Sequence, residues 1–193
     1  MINKPFFFDH ARQVLFGGKL SQQQVNGLTA ILDEWQANYA KKDDRWLAYM
    51  LATAHHETDR KIAPIEEYGK GKGLPYGKRI KLNKEPYTDT TNLFYGRGFV
   101  QLTWYENYQK AGKKLGIDLI NKPELALNLK YATQIMFTGM IEGWFTGKKL
   151  SDYFLGDKQD WTNARRIING TDKASLIAGY ATNYYSCISY TAV

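Results

Sequence analysis

The sequence predicts a mainly α-helical fold with at most one small β-hairpin. Apolar residues recur at three- and four-residue steps in several segments, as on the buried face of a helix, and runs that alternate apolar and polar residues are few. The 193 residues suffice for one domain with a sizeable core, or for two small lobes around a cleft. No internal repeat or linker interrupts the chain, so we expect residues 1–193 to form a single domain.

The first two predicted helices lie at 21–39 and at about 44–59. Ser21 and Gln24 have the spacing of a capping box at the start of the first helix, and the charged segment KKDD separates it from the second. An N-terminal helical part, residues 1–43, is expected to pack on the core. In the second helix Glu57 extends a mainly apolar stripe to the helix end, where we expect it to be poorly solvated.

The segment 69–92 contains four glycines, two prolines and six basic residues, and it is predicted to be a loop insertion with irregular or short hairpin structure. Its composition fits an exposed basic flap as well as it fits a substrate-gripping loop. A turn and an extended segment follow, and a helix is predicted from about 104. Further helices are predicted at 123–145, near 160–168 and at 171–187, the last with Thr171 as its cap.

The composition narrows the possible partners. A net charge of +7 suits nucleic acid, an anionic membrane or an acidic cell-envelope polymer, but no arginine-rich helix favours nucleic acid. Cys187, the only cysteine, excludes an internal disulfide. No stretch of 18 apolar residues predicts a membrane span, and the N-terminus is too polar for a secretory signal. We therefore expect accumulation in the cytoplasm and no stable membrane insertion.

Three chemistries compete around the sequence AHHET at 54–58. A helical zinc site of the HExxH type fails because Arg60 stands where the second histidine is needed, so no metal is expected. A nucleophilic pair of Cys187 with a histidine is disfavoured, because that cysteine lies in a helical pattern typical of burial. A pair of carboxylates, Glu57 with Glu66, could serve as general acid and base of a glycoside hydrolase. From spacing alone, a helix end followed by solvated glutamates is the more frequent explanation.

Three segments together resemble glycoside hydrolase family 19, which contains chitinases and muramidase-type phage endolysins. They are AHHET at 54–58, YGRGFVQLTWYENY at 95–108 and IINGTDKA at 167–174, and the resemblance spans about 45–190. The stretches FFFDHARQVLFGGKLSQQQVNGL and EEYGKGKGLPYG look like the phage and prophage branch in particular. The resemblance implies a lysozyme-like, two-lobed helical fold with a central cleft.

The resemblance also implies roles for individual residues. Glu57 would be the general acid, Glu66 the base or a stabiliser of the developing cation, and Thr103 the residue that holds the attacking water. The remaining residues would line or support the sugar cleft: Gln101, Asn107 and Asn169 as polar contacts, Tyr95 near the wall, and Arg97 as electrostatic support or as part of a structural ion pair. Hydrolysis with inversion would need about 6.5–9.5 Å between the carboxyl groups.

Two departures from the family pattern leave alternatives open. Glu67 directly follows Glu66, so either could be the second carboxylate. Glu106 stands near the cleft where plant chitinases carry a tyrosine, which weakens the expectation of chitin as substrate.

We therefore expect a monomeric endolysin that needs no cofactor or metal and hydrolyses β-1,4 bonds in peptidoglycan glycan strands. A holin would release it from the host cytoplasm to the cell wall in the periplasm. A chitinase acting on N-acetylglucosamine polymer is the alternative with the same chemistry, and a non-catalytic wall-binding module is the alternative of another class.

Overall fold

The computed structural model describes residues 1–191 and confirms the mainly helical fold class. The α-helices of this range are α1 (Lys4–Leu15), α2 (Gln22–Glu34), α3 (Asp44–Glu57), α4 (Tyr105–Leu115), α5 (Leu129–Glu142) and α6 (Ala174–Cys187). Its strands form two antiparallel pairs, β1 (Ile65–Glu66) with β2 (Arg97–Gly98) and β3 (Phe154–Leu155) with β4 (Lys158–Gln159). Short 3₁₀ turns lie at Pro75–Gly77, Pro123–Leu127, Leu150–Asp152 and Asn163–Ile167.

Helix α2 begins at the predicted capping box. The Gln24 backbone N–H donates to the Ser21 hydroxyl at 3.2 Å, and the Ser21 N–H donates to the Gln24 side chain at 2.8 Å, which satisfies two backbone groups that a helix start leaves open. The helix continues as a π-helical turn over Trp35–Tyr39, so its predicted extent is confirmed. Gly27 lets α2 approach the loop after α3, since a Cβ there would meet the Ile62 carbonyl oxygen at 1.7 Å.

Helix α3 runs through the centre of the core. Every residue from Leu47 to His55 is buried, and α3 packs extensively against α6, which in turn contacts α1. Helix α2 packs against α5. This packing orients the C-terminal end of α3, and with it Glu57, towards the cleft described below.

Three predicted helices differ in the structure. The predicted helix 123–145 is a 3₁₀ turn followed by α5, because Asn128 is extended (φ −66°, ψ 130°) and its side chain accepts from the N–H groups of Lys130 and Tyr131 as a helix cap. The last helix begins three residues later than predicted, since Lys173 is left-handed (φ 57°) and occupies the cap position in place of Thr171. The predicted helix near 160–168 is only the 3₁₀ turn at 163–167.

The segment 69–92 connects β1 to β2. It contains the 3₁₀ turn at Pro75–Gly77 and a narrow hairpin closed by an isolated bridge between Ile80 and Pro86. Tyr87 anchors the end of this hairpin in the core, where its ring stacks on that of Tyr105 at 4.9 Å. The rest of the insertion is mostly exposed. Within residues 1–191, none of the helices combines the length and the apolar character needed to cross a bilayer.

Candidate active site

A cleft of about 540 Å³ gathers residues from five separate stretches of the chain. Its walls are formed by Glu57, Tyr76, Leu82, Val100, Gln101, Thr103, Trp104, Asn107, Trp144, Phe145, Ile168 and Asn169. Glu57 is the only charged side chain in this set. The mixture of polar groups and aromatic faces around one carboxylate is suited to an uncharged, hydroxyl-rich ligand such as a sugar chain.

Glu57 is the last residue of α3, and its side chain is only 15% exposed. The Arg165 guanidinium, 5% exposed, donates from Nη1 to Glu57 Oε1 at 2.5 Å. Arg165 is itself held by a hydrogen bond from its Nε to the Asp172 carbonyl at 3.1 Å. The orientation of the Glu57 carboxylate is therefore fixed by a buried cation that lies 108 residues further along the chain.

The turn after Glu57 leads the chain to the second candidate carboxylate. Asp59, Arg60 and Ile62 have positive φ angles, which reverse the direction of the backbone within a few residues. The Thr58 hydroxyl holds this turn by donating to the Ala54 carbonyl at 2.7 Å and accepting from the Ile62 N–H at 2.9 Å. The threonine that follows the glutamate thus shapes the connection to β1.

Glu66 lies in β1 at the centre of a polar cluster beside the cleft. The Tyr95 hydroxyl donates to Glu66 Oε1 at 2.9 Å, Arg97 Nε lies 3.4 Å from the same oxygen, and Lys70 Nζ lies 3.1 Å from Oε2. The Arg97 guanidinium stacks 3.7 Å above the Tyr95 ring and donates to the Tyr108 hydroxyl at 3.0 Å. The cluster links β1 and β2 to helix α4.

This surrounding sets the charge of Glu66. Burial alone would raise the pKa of Glu66, but the hydrogen bonds from Tyr95 and Lys70 and the charges of Lys70 and Arg97 outweigh it, so the pKa lies below its ordinary value. An ionised carboxylate is the form that a general base requires.

Glu67, the alternative second carboxylate, has different partners. Its Oε2 accepts from the Gly96 N–H at 3.2 Å, and its Oε1 accepts from the Tyr76 hydroxyl at 3.1 Å. Burial and this hydrogen bond raise the pKa of Tyr76 to about 12. Because Tyr76 lines the cleft, Glu67 orients a wall residue.

The segment between β2 and α4 forms the floor of the cleft. Gln101 (φ 52°) donates from its side-chain amide to the carbonyls of Ile65 and Gly98, both at 3.2 Å, and so ties the floor to β1. Trp104 has φ 74° and ψ 141°, a conformation that side-chain-bearing residues rarely adopt and that tends to occur at functional sites. Asn107 donates to the Thr103 carbonyl at 2.9 Å, and within residues 1–191 the Thr103 hydroxyl has no hydrogen-bond partner.

The structure brings five of the eight predicted site residues into the cleft: Glu57, Gln101, Thr103, Asn107 and Asn169. The other three, Glu66, Tyr95 and Arg97, form the adjacent cluster and are absent from the cleft walls. Sequence reasoning missed Arg165 and the aromatic walls Tyr76, Trp104, Trp144 and Phe145. Trp104 follows Thr103 inside the motif and could have been found there, whereas the Glu57–Arg165 contact has no local signal.

His55, one of the two histidines next to Glu57, lies in the core and does not line the cleft. His55 is fully buried, packs 4.4 Å from the Tyr180 ring, and its Nδ1 lies 2.9 Å from the Tyr184 hydroxyl. Desolvation lowers the pKa of His55 to about 4, so it is neutral near pH 7. His55 therefore packs in the core. In the part of the chain that the structure describes, no three His, Cys, Asp or Glu side chains are grouped closely enough to hold a metal ion.

A helical fold with a carboxylate in a polar, aromatic-lined cleft is typical of the glycosidases that resemble lysozyme. The family model described as "Chitinase class I" matches residues 34–153, more than half of the chain. The protein therefore belongs to glycoside hydrolase family 19. Endochitinase CH5B of Phaseolus vulgaris is 36% identical over 114 residues, which cover 54% of this chain and 33% of that protein. The chain thus spans about a third of the length of this curated relative.

Two crystal structures show the same fold. Chitinase C from Streptomyces griseus HUT6037 superposes with a TM-score of 0.61 at 24% identity, covering 92% of this chain and 74% of that one. The family 19, class IV chitinase from Zea mays superposes with a TM-score of 0.58 at 16% identity, covering 94% and 90%. The lysozyme-like, two-lobed arrangement expected from the sequence agrees with these likenesses.

Proposed function

We propose that the protein is a glycoside hydrolase that cleaves β-1,4 bonds in a polymer of N-acetylated amino sugars, with inversion at the anomeric carbon. The observation that carries this proposal is the cleft itself, where Glu57 meets Thr103, Asn107 and Asn169 from separate parts of the chain. Family membership and the arrangement of Glu66 beside the cleft support it.

In the proposed reaction the protonated form of Glu57 donates its proton to the glycosidic oxygen as the bond to the anomeric carbon breaks. The glutamate becomes anionic in this step, and the Arg165 guanidinium at 2.5 Å stabilises the charge that develops. Glu66 removes a proton from a water molecule whose oxygen attacks the opposite face of the same carbon, with Thr103 orienting that water. Both carboxyl groups then recover their starting states by exchanging protons with solvent, and the process needs no cofactor.

A β-1,4-linked N-acetylglucosamine polymer is the substrate that we propose first. The relatives and structures of the preceding subsection are described as chitinases, and the matched segment includes Glu57, Gln101, Thr103 and Asn107. An uncharged chain of acetylated sugars also suits a cleft whose only charged wall residue is the acid itself.

The peptidoglycan strand is the second candidate, and the basic insertion favours it. Lys72, Lys78, Arg79 and Lys84 are exposed, and within residues 1–191 none of them forms an ion pair. Tyr76 and Leu82 of the same insertion line the cleft, so the insertion borders the site where we propose that a glycan binds. These cations would attract the carboxylates of a peptide-bearing strand. In this case the protein would act as a monomeric phage endolysin that leaves the cytoplasm through a holin-made opening.

Parallel assays on chitin oligosaccharides and on purified peptidoglycan test both proposals. Mass spectrometry of the products identifies the bond that is cut, and NMR of the fresh products shows the anomer. We expect Glu57→Gln to lower turnover by roughly 10²–10⁴-fold, because it removes the general acid, whereas Glu85→Gln, at an exposed glutamate of the insertion, serves as the matched control.

The results of these assays distinguish the proposed inverting hydrolase from its alternatives. Wild-type turnover by Glu57→Gln would contradict the proposed acid, and retention of configuration would contradict inversion. Binding to the cell wall without cleavage of either polymer would establish a non-catalytic wall-binding module instead.

A further inference from the structure

The tip of the basic insertion, residues 80–86, is a small self-contained hairpin. An isolated bridge joins Ile80 to Pro86, the Lys81 N–H donates to the Glu85 carbonyl at 2.8 Å, and the Lys84 N–H donates to the Lys81 carbonyl at 2.9 Å. We refer to these residues as the hairpin tip. Its internal bonds define its shape, but they do not fix where it lies relative to the cleft.

Tyr87, directly after the hairpin tip, is already anchored against Tyr105, and two contacts of the hairpin tip itself reach the first turn of α4. The Leu82 backbone N–H donates to Glu106 Oε1 at 2.8 Å, and the Lys81 ammonium lies 5.5 Å from the centre of the Tyr105 ring. The Leu82 side chain forms part of the cleft wall, yet it is 54% exposed, so burial contributes little to holding it there. The charge-assisted hydrogen bond is the stronger and more directional contact of the two.

Glu106 is placed to make this attachment. It lies in the first turn of α4, where the helix dipole favours a negative charge. Its second oxygen, Oε2, is buried and has no hydrogen-bond partner among the residues that the structure describes. Within the described chain, the hydrogen bond that this carboxylate accepts is therefore the one from the Leu82 N–H. The neighbouring residue Asn107 lines the cleft.

We propose that Glu106 is a positioning residue that holds the hairpin tip against α4, so that Leu82 remains a wall of the sugar cleft. This inference rests on the proposed function and deepens it. Glu106 acts on binding, because it fixes a wall residue and contacts neither Glu57 nor Glu66. Its loss should therefore raise KM for oligosaccharides long enough to reach Leu82 and leave kcat nearly unchanged.

The first test is amide hydrogen exchange followed by NMR, which requires no catalysis. In the wild type we expect the Leu82 amide to be protected, and in Glu106→Ala we expect its protection to fall by about 10–100-fold, the value of one hydrogen bond to a charged group. Glu106→Gln retains an oxygen that can accept from Leu82, so it should restore most of the protection. Glu85→Ala alters an exposed glutamate of the same hairpin and is the matched control.

The second test is steady-state kinetics on the same variants with the substrate that the wild type cleaves. We expect KM to rise about tenfold in Glu106→Ala, with kcat within about twofold. Should Glu106→Ala fail to fold, Glu106→Asp shortens the side chain by one methylene, which withdraws the carboxylate from the Leu82 N–H, and it should also raise KM with kcat nearly unchanged.

Two results would overturn the inference. One is unchanged Leu82 protection in Glu106→Ala, and the other is a fall in kcat without a change in KM. If the wild type cleaves no glycan, the proposed function fails on its own, while the exchange experiment still shows whether Glu106 holds the hairpin tip.

Discussion

Replacing Arg165 by methionine should destabilise the protein and lower its turnover together. The Arg165 and Glu57 side chains are 5% and 15% exposed, so the substitution leaves a nearly buried carboxylate without its cation. Removing one partner of such a pair costs about 3–5 kcal/mol of the free energy of unfolding. For a chain of this size, 4 kcal/mol corresponds to a fall in Tm of about 8–16 °C. Because the pair also directs Glu57 into the cleft, we expect turnover to fall about a hundredfold.

A double-mutant cycle measures this contribution directly. Denaturant unfolding of Arg165→Met, Glu57→Gln and the combined variant gives three changes in stability. We expect the combined change to be smaller than the sum of the single changes by at least about 1.5 kcal/mol, because Glu57→Gln removes the charge that Arg165→Met would leave unpaired. Additivity within about 0.5 kcal/mol would refute the reasoning, since independent sites behave in that way.

Three further predictions concern the proposed base, its pH dependence and the water site. Glu66→Gln should lower kcat by roughly 10²–10⁴-fold and Glu67→Gln by less than about tenfold, since Glu67 only orients a wall residue. Equal losses of kcat in the two variants would contradict the assignment of Glu66 as the base. The pKa of Glu66 lies below its ordinary value, so the midpoint of the acidic limb of the kcat/KM profile should lie at a lower pH than for an ordinary glutamate. In Lys70→Ala this midpoint should move to higher pH, because a cation that favours the ionised form of Glu66 is lost. Thr103→Ala should lower kcat by about 10–100-fold while Thr103→Ser retains activity, and a fall in Thr103→Ser as large as in Thr103→Ala would show that the hydroxyl is not what matters.

The helical framework could be predicted because it depends on local signals. The apolar steps of 21–39 and the Ser21–Gln24 capping box describe α2 without any distant contact. The predicted helix boundaries were wrong where the backbone conformation of a single residue determines where a helix begins. Asn128 is compatible with a helix by composition, but it caps α5 and divides the predicted helix 123–145. Lys173 adopts a left-handed conformation that favours glycine, and nothing in its side chain predicts this.

The candidate site likewise contains residues that local sequence motifs could predict and residues that only tertiary packing brings together. Glu57, Gln101, Thr103 and Asn107 lie in short motifs, so a resemblance of sequence could locate them. The partners that set their orientation come from tertiary packing. Arg165 reaches Glu57 across 108 residues of sequence, and Leu82 reaches Glu106 across 24. Neither contact has a periodicity or spacing that the sequence alone could reveal.

The separation between Glu57 and Arg165 also determines when the site can be completed during synthesis. A ribosome that adds about 5–20 residues per second needs roughly 5–20 s to proceed from the proposed acid to its cation. Until residues 163–169 have been made, Glu57 lacks the Arg165 cation and the cleft lacks Ile168 and Asn169. The nascent chain should therefore be able to complete the proposed site only after residues 163–169 have been made.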